Sequence, residues 1–356
     1  MIFSPISYYA DKAPALADVF GAKLVDVERH CIVVDGHRFP VVDDVIVLLD
    51  PGMYTKRVLH ALDEAAVAAP LEASYFARDI QLTFGKEWQA FPKILAEHEQ
   101  EFRRYFDLVD IDALRDATVC DLGCGSGRWS YFLRKRCRRL ILVDFSDAIF
   151  LARDNLRDCP SALFFMGNLT SLQFRPGFAD LVVCLGVLHH LPVPALDEVR
   201  RLRRLAPRLL VYLYYALDNR PAYFRSVLAV ITGIRRLTSR MDGQKTRSVL
   251  AWALTLGVYI PVLALGRLLD WLHRGPSVPL YDSYKGKSFR RIEQDVYDRF
   301  FTRIEQRVTR SSILELQDTF EAVTVSENLP YWHFLCESAQ EASTTTPRSK
   351  EALETS

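Results

Sequence analysis

What the chain lacks narrows its class first. It has no Cys-x-x-Cys pair, and its seven cysteines (Cys31, Cys120, Cys124, Cys137, Cys159, Cys184 and Cys336) are an odd number. A disulfide framework needs paired cysteines in an oxidising compartment, so buried thiols in a reducing cytosol are expected instead. It also lacks a charge surplus: 45 Lys and Arg stand against 44 Asp and Glu, a net charge of +1. That balance removes the global pull that draws a protein to nucleic acid. Met1 to Ala10 has neither a basic segment nor a long apolar run, so no secretory signal is expected. There is no internal repeat. What is left is 356 residues, 49% apolar and 25% charged, a globular balance and more chain than one ordinary domain needs.

The richest stretch runs from Val119 to Ser130 as Val-Cys-Asp-Leu-Gly-Cys-Gly-Ser-Gly-Arg-Trp-Ser, followed by Leu140-Ile-Leu-Val-Asp144. Thr118 to Leu122 is apolar enough for a buried parallel strand. Gly123, Gly125 and Gly127 let the backbone turn sharply and lie against a ligand, because no Cβ stands in the way. Trp129 to Arg139 is expected as a helix whose first N–H groups face the same ligand. Asp144 ends the second strand roughly 20 residues beyond the glycines, where a carboxylate can take both hydroxyls of a ribose. Asp is also a favoured helix N-cap, the competing role for this residue. A nucleoside-containing cofactor is the expected guest.

The spacing Asp-x-Gly-x-Gly-x-Gly differs from the Gly-x-Gly-x-x-Gly of dinucleotide sites and resembles motif I of class I S-adenosylmethionine-dependent methyltransferases. The resemblance continues in order. Asp144 matches the ribose-binding acid, Phe145 the residue against the adenine, and Gly167-Asn168-Leu169 the next loop. Leu181 to Leu185 with Gly186-Val-Leu-His-His-Leu191 looks like motif IV and its loop, and Leu205-Ala-Pro207 with Leu209 to Tyr215 like the fifth strand. It implies S-adenosylmethionine as cofactor, bound by Asp121, Gly123, Gly125, Gly127, Asp144, Phe145, Asn168, Leu169 and Leu185. It implies an α/β fold, a Rossmann-like seven-stranded sheet with helices on both faces. Family members often carry Asp where this chain has Asn168; the Asn carbonyl can accept from an adenine amine without contributing charge.

The chain divides into a small β-containing N-terminal segment (1–75), a helical cover (76–117), a cofactor-binding core (118–216), an insertion (217–305), the core's closing helix and hairpin (306–337) and a disordered tail (338–356). In the first segment Cys31 to Val34 and His37 to Leu49 read as strands around an Asp35-Gly36 turn. Phe39 to Leu49 resembles the end of a zinc-ribbon-like segment that precedes some of these domains. With only Cys31, His30 and His37 near one another and about four ligands required, no metal is expected. Phe84-Gly-Lys-Glu-Trp88 is similar to the family's cofactor-covering segment. The tail is rich in Ser, Thr and Glu, a composition that favours disorder.

Ser248 to Gly266 holds no charged residue, and Arg235, Arg236, Arg240, Lys245 and Arg247 precede it while Arg267 and Arg274 follow. A bilayer crossing takes about 20 apolar residues, but the strands before and after belong to one sheet and therefore to one side of a membrane. Val227 to Ile234 is too short to be a second crossing, and Thr255, Gly257 and Pro261 interrupt the long run. A helical lid, lying at the membrane interface through 223–274 with its arginines at the headgroups or simply buried, is expected. The protein is then cytoplasmic, peripheral at the inner face of the membrane.

Methyl transfer needs alignment, exclusion of water and, for an oxygen acceptor, a base. His190, with His189 beside it, follows the fourth strand at the edge where ligands bind, and imidazole titrates near neutrality. The acceptor is expected to be a small hydrophobic or lipid-linked molecule, methylated at oxygen in preference to carbon or nitrogen. The alternatives are a nucleic-acid methyltransferase using the basic runs 134–139 and 200–204, and a cofactor-holding module without turnover. No nucleic-acid motif accompanies those runs, so no nucleic-acid partner is expected.

Overall fold

The computed structural model describes residues 8–63, 81, 85, 88, 90–241 and 243–338. Among them the apolar runs form β1 (Val25–Val27), β2 (Cys31–Val34), β3 (His37–Val42), β4 (Val45–Val47), β5 (Thr118–Leu122), β6 (Arg139–Asp144), β7 (Ala162–Met166), β8 (Leu181–Leu185), β9 (Arg208–Tyr212), β10 (Ala322–Val325) and β11 (His333–Glu337). They make one 11-stranded sheet in the order β1-β2-β3-β4-β7-β6-β5-β8-β9-β11-β10. The expected seven-stranded sheet is the run from β7 to β10, parallel except where β11 lies antiparallel to β9 and β10.

The extra strands correct two expectations. The N-terminal segment does not stand apart, because β4 pairs parallel with β7 from Val45 opposite Phe164 to Val47 opposite Met166. Val45, Ile46 and Val47 are all buried, the pattern of an interior strand, and they cover an edge that β7 would otherwise leave open. The single strand expected over 37–49 is broken at Asp43 and Asp44, both at positive φ. The helix after the glycine turn is also shorter than expected: it ends at Leu133, and Arg139 already pairs with Thr118. Arg134, Lys135 and Arg136 offer the sheet no apolar face to hold them. Phe84, Lys86 and Glu87 of the helical cover, and the tail from 339 onward, lie outside the described residues.

The helices used below are α1 (Ala13–Phe20), α2 (Glu97–Tyr105), α3 (Arg128–Leu133), α4 (Ala148–Asn155), α5 (Ala195–Leu202), α6 (Ala222–Thr238), α7 (Gln244–Leu254), α8 (Ile260–Asp270) and α9 (Phe289–Phe301). They cover both faces of the sheet. Cys120, Leu122, Ile141 and Val143 pack on one side with α1 and α5, and Val119, Leu140 and Leu142 on the other with α2, α3 and α4. Alternate residues of each strand thus enter opposite cores, which is why these strands read as continuous apolar runs.

The insertion, α6 to α9, has its own core of Ala251, Tyr259, Tyr284, Ile292, Val296, Tyr297, Phe300 and Phe301. Thr255, Gly257 and Pro261 do not break the long apolar run: α7 continues through a π turn (Thr255–Tyr259) into α8. Pro261 sits in the first turn of α8, where a missing N–H costs little, and the Thr255 hydroxyl donates to Ala251 O at 2.8 Å. The run Lys245–Asp270 is long and apolar enough to cross a membrane, by length and composition alone. The upstream stretch 227–234 is the middle of the longer α6, 17 residues in all. Apart from Leu24, every large apolar side chain exposed among the described residues lies between Tyr223 and Leu272.

Candidate active site

The C-terminal ends of β5 to β9 open onto a cavity of about 780 Å³ that the insertion roofs. At one end is the glycine turn. The Gly123 and Cys124 N–H groups donate to Val143 O at 2.7 and 3.1 Å, which folds the turn back across β6. A Cβ on Gly123 would fall 2.4 Å from Val187, and one on Gly125 2.5 Å from the Trp88 indole. Both have positive φ, so glycine is required on steric and conformational grounds. Gly123 lines the cavity; Gly125 and Gly127 shape the turn from behind, covered by Trp88 and Leu156.

Asp144 lines the cavity at the end of β6, 8% exposed. Its Oδ2 accepts from the Gly125 N–H at 2.8 Å, and its Oδ1 from the Ser146 N–H and hydroxyl at 2.8 and 2.7 Å. The N-cap of α4 is Asp147, so the competing capping role does not fall to Asp144, and these bonds instead fix its carboxylate at the cavity end of β6. Burial raises its pKa, and those bonds act in the opposite direction.

Asp121, expected at the cofactor, is not on the cavity wall. Its Oδ2 accepts from the Ser130 hydroxyl at 2.6 Å, tying β5 to α3, and burial, with Asp144 nearby, pushes it up to about 7. Phe145, Asn168, Leu169 and Leu185 do line the cavity. The Asn168 Oδ1, however, accepts from the Thr170 N–H at 3.1 Å and its hydroxyl at 2.9 Å. The oxygen assigned to an adenine amine is thus engaged in a local turn, and Asn is suited to that turn.

At the other end, the two histidines separate. His190 lines the cavity. Its Nδ1 lies 2.8 Å from Ile304 O, so Nδ1–H donates and Nε2 is the basic nitrogen, 3.9 Å from Asp298 Oδ1. His189 is fully buried behind the wall with its ring stacked on Tyr214 at 4.0 Å. Burial, with His190 and Arg307 near, drives its pKa far down; it is a neutral core residue, and the expectation that it shares in catalysis is corrected. His333 is likewise internal, with Nε2 2.6 Å from Asp107 Oδ1.

Sequence reasoning missed Arg128, although it directly follows the glycine run. Its guanidinium sits over the Trp88 and Trp129 rings, with Nε and Nη1 sealed from solvent and without a hydrogen-bond acceptor among the described residues. Around it Arg291 and Lys287 ion-pair with Glu101 and Asp295. Three cations thus face two acids. Burial, together with Arg291, lowers the Arg128 pKa. Burial alone would raise that of Glu101, but Arg291, Lys287 and Arg128 outweigh it and hold the carboxyl well below its usual range.

Residues 119–206 match the family model described as a methyltransferase domain. This segment is a methyltransferase domain by that match. Solved structures similar to the chain include a magnesium protoporphyrin IX methyltransferase from Synechocystis with bound S-adenosylhomocysteine, at 15% identity over 74% of this chain and 98% of that one, TM-score 0.41. Another is the Haemonchus contortus phosphoethanolamine N-methyltransferase 1, with phosphoethanolamine and S-adenosylhomocysteine, at 18% identity over 38% of this chain, TM-score 0.34. This chain covers 32% of the length of that second protein. No curated protein sequence matches the chain.

The basic runs of the methyltransferase domain are largely engaged within the fold. Arg134 pairs with Asp158, Arg139 with Asp18, Arg200 with Asp318 and Arg201 with Glu198, while Arg138 and Arg204 donate to backbone carbonyls. Asp298 and Arg299, in the insertion, had no local sequence signal at all. They reach the domain's cavity only because α9 packs under α6.

Proposed function

We propose that this chain transfers a methyl group from S-adenosylmethionine to an oxygen of a small hydrophobic or lipid-linked acceptor. One observation carries the reading: a single cavity joins the glycine turn and Asp144 to His190 and a wall of Tyr212, Tyr214, Tyr215 and Phe224. The residues present fit the cofactor. Asp144 is placed to accept from the ribose hydroxyls, Phe145 and Leu169 to flank the adenine, and Arg128, on the cavity wall without an ion pair among the described residues, to hold the cofactor's carboxylate. When bound, S-adenosylmethionine supplies a methyl group already activated by its positively charged sulfur.

The chain's own contribution is orientation, dryness and proton removal. His190 Nε2 takes the proton of the acceptor hydroxyl, and the imidazolium so formed faces the Asp298 carboxylate. The Ile304 carbonyl holds the ring in the tautomer that leaves Nε2 basic. The test is incubation with S-adenosylmethionine carrying a labelled methyl, in the presence of an organic extract of cells. Label should enter the organic phase with wild type and fall sharply with Asp144→Asn. Label that stays wholly on the cofactor overturns the reading.

The insertion supports a peripheral contact with an anionic leaflet. Tyr223, Val230, Leu237, Trp252, Leu268 and Trp271 are exposed, as are Arg225, Arg236, Arg240, Lys245, Arg267 and Arg274. Asp270 is the only acid among the described residues of 222–274. Such a face suits anionic headgroups, each nearby cation contributing roughly 1 kcal/mol, whereas pairing with a second copy would oppose like charges. Because β9 and β11 are neighbours in one sheet, a single crossing between them is excluded, and the reading is of helices lying on the leaflet.

A further inference from the structure

A second unbalanced cation lies on the His190 side of the cavity. Arg299 lines it, with its Nε sealed from solvent and lacking any hydrogen-bond acceptor among the described residues. The carboxylates near it are already engaged. Glu305 pairs with Arg307 at 2.7 Å and approaches Arg235 at 3.9 Å. Asp298 accepts from the Tyr214 and Thr302 hydroxyls and faces His190. Three arginines thus meet two acids; Arg299 and Arg307 both line the cavity, and of the two Arg299 is the one without an ion pair among the described residues. Burying a lone charge is costly unless something answers it. Guanidinium is also the side chain best shaped to bind phosphate or carboxylate.

Apolar surface adjoins this cation. Phe224, Leu228 and Ile231 of α6 line the same cavity, and Ile231 packs against the cluster containing Tyr297 and Phe300 on either side of Arg299. Val227 belongs both to the cavity wall and to the exposed apolar face of α6. The cavity and the outer apolar surface are therefore continuous.

We propose that the acceptor is an anionic amphiphile whose phosphate or carboxylate is bound by Arg299 and whose apolar part lies along Phe224, Leu228 and Ile231 toward the exposed face of α6. This rests on reading the cavity as the methyl-transfer chamber.

The test is calorimetry on the full chain with dodecyl phosphate below its micelle-forming concentration, with dodecyl maltoside as the uncharged control. Wild type should bind dodecyl phosphate, and Arg299→Gln should weaken it at least about tenfold, the ratio that one charge-assisted hydrogen bond supplies. Dodecyl maltoside affinity should be the same in both proteins. Arg299→Lys, which keeps the charge without the fork, should fall between them. Displacement by inorganic phosphate would assign the anion to a soluble phosphorylated molecule, and failure to displace would assign it to a lipid headgroup. Equal dodecyl phosphate affinity in wild type and Arg299→Gln, or none in wild type, overturns the proposal. S-adenosylhomocysteine binding, measured on the same samples, is unaffected by that failure and reports separately on the methyl-transfer reading.

Discussion

Arg128→Gln tests the cofactor end of the cavity most sharply. The guanidinium is held over two indole rings at the cavity wall, and no carboxylate among the described residues is ion-paired with it. A hydrogen bond to a charged group contributes about 1.5–3 kcal/mol. Glutamine keeps one donor of shorter reach and no charge. The expected loss is therefore about 2–3 kcal/mol, roughly 30- to 150-fold in Kd. Folding should not suffer, because removing this cation leaves Arg291 and Lys287 facing Glu101 and Asp295 in balance. The assay is titration calorimetry with S-adenosylhomocysteine and, in parallel, with methylthioadenosine, which has the same nucleoside and sulfur but no aminoacyl group. Only the first should weaken. If both ligands lose affinity together, Arg128 acts through the shape of the turn; if neither does, the carboxylate lies elsewhere.

Three further outcomes follow from the same geometry. Once an acceptor is in hand, His190→Gln should lower turnover by on the order of a hundredfold while S-adenosylhomocysteine affinity holds; wild-type turnover would return His190 to a structural role. On anionic liposomes the full chain should float, and a variant with Trp252, Leu256, Leu268 and Trp271 changed to Ser should not, whereas a wild-type chain that stays at the bottom removes the membrane contact. Burial, aided by Arg128 and Arg291, pushes His98 down to about 3, so its contribution to stability is complete above the unfolded value near 6.5 and is lost as pH falls toward 3, at about 1.4 kcal/mol per pH unit. Urea midpoints of His98→Gln should therefore fall less steeply over that window than those of wild type, and identical slopes would show that the histidine is not held neutral.

What the sequence determined by itself is whatever is written in contiguous residues. β2, β5 and β8 run over the spans their apolar residues suggest, because strands buried on both faces must be continuously apolar. Gly123 and Gly125 are legible because only glycine satisfies both the positive φ and the close approach of Val187 and Trp88. Asp144 is legible because its place at the end of β6 follows from strand length. Tertiary structure decided the rest, since charge balance and direction depend on residues far apart in the chain. It turned His190 toward the cavity and buried its neighbour His189 against Tyr214. It engaged the Asn168 oxygen within its own turn and put Asp121 behind the wall. It buried Tyr259 while exposing Trp252 and Leu268 on the same apolar run. Arg128 and Arg299 read in sequence as ordinary basic residues. Only when α2 and α9 close over the sheet, and the nearby carboxylates find other partners, do Arg128 and Arg299 remain at the cavity with no ion pair among the described residues.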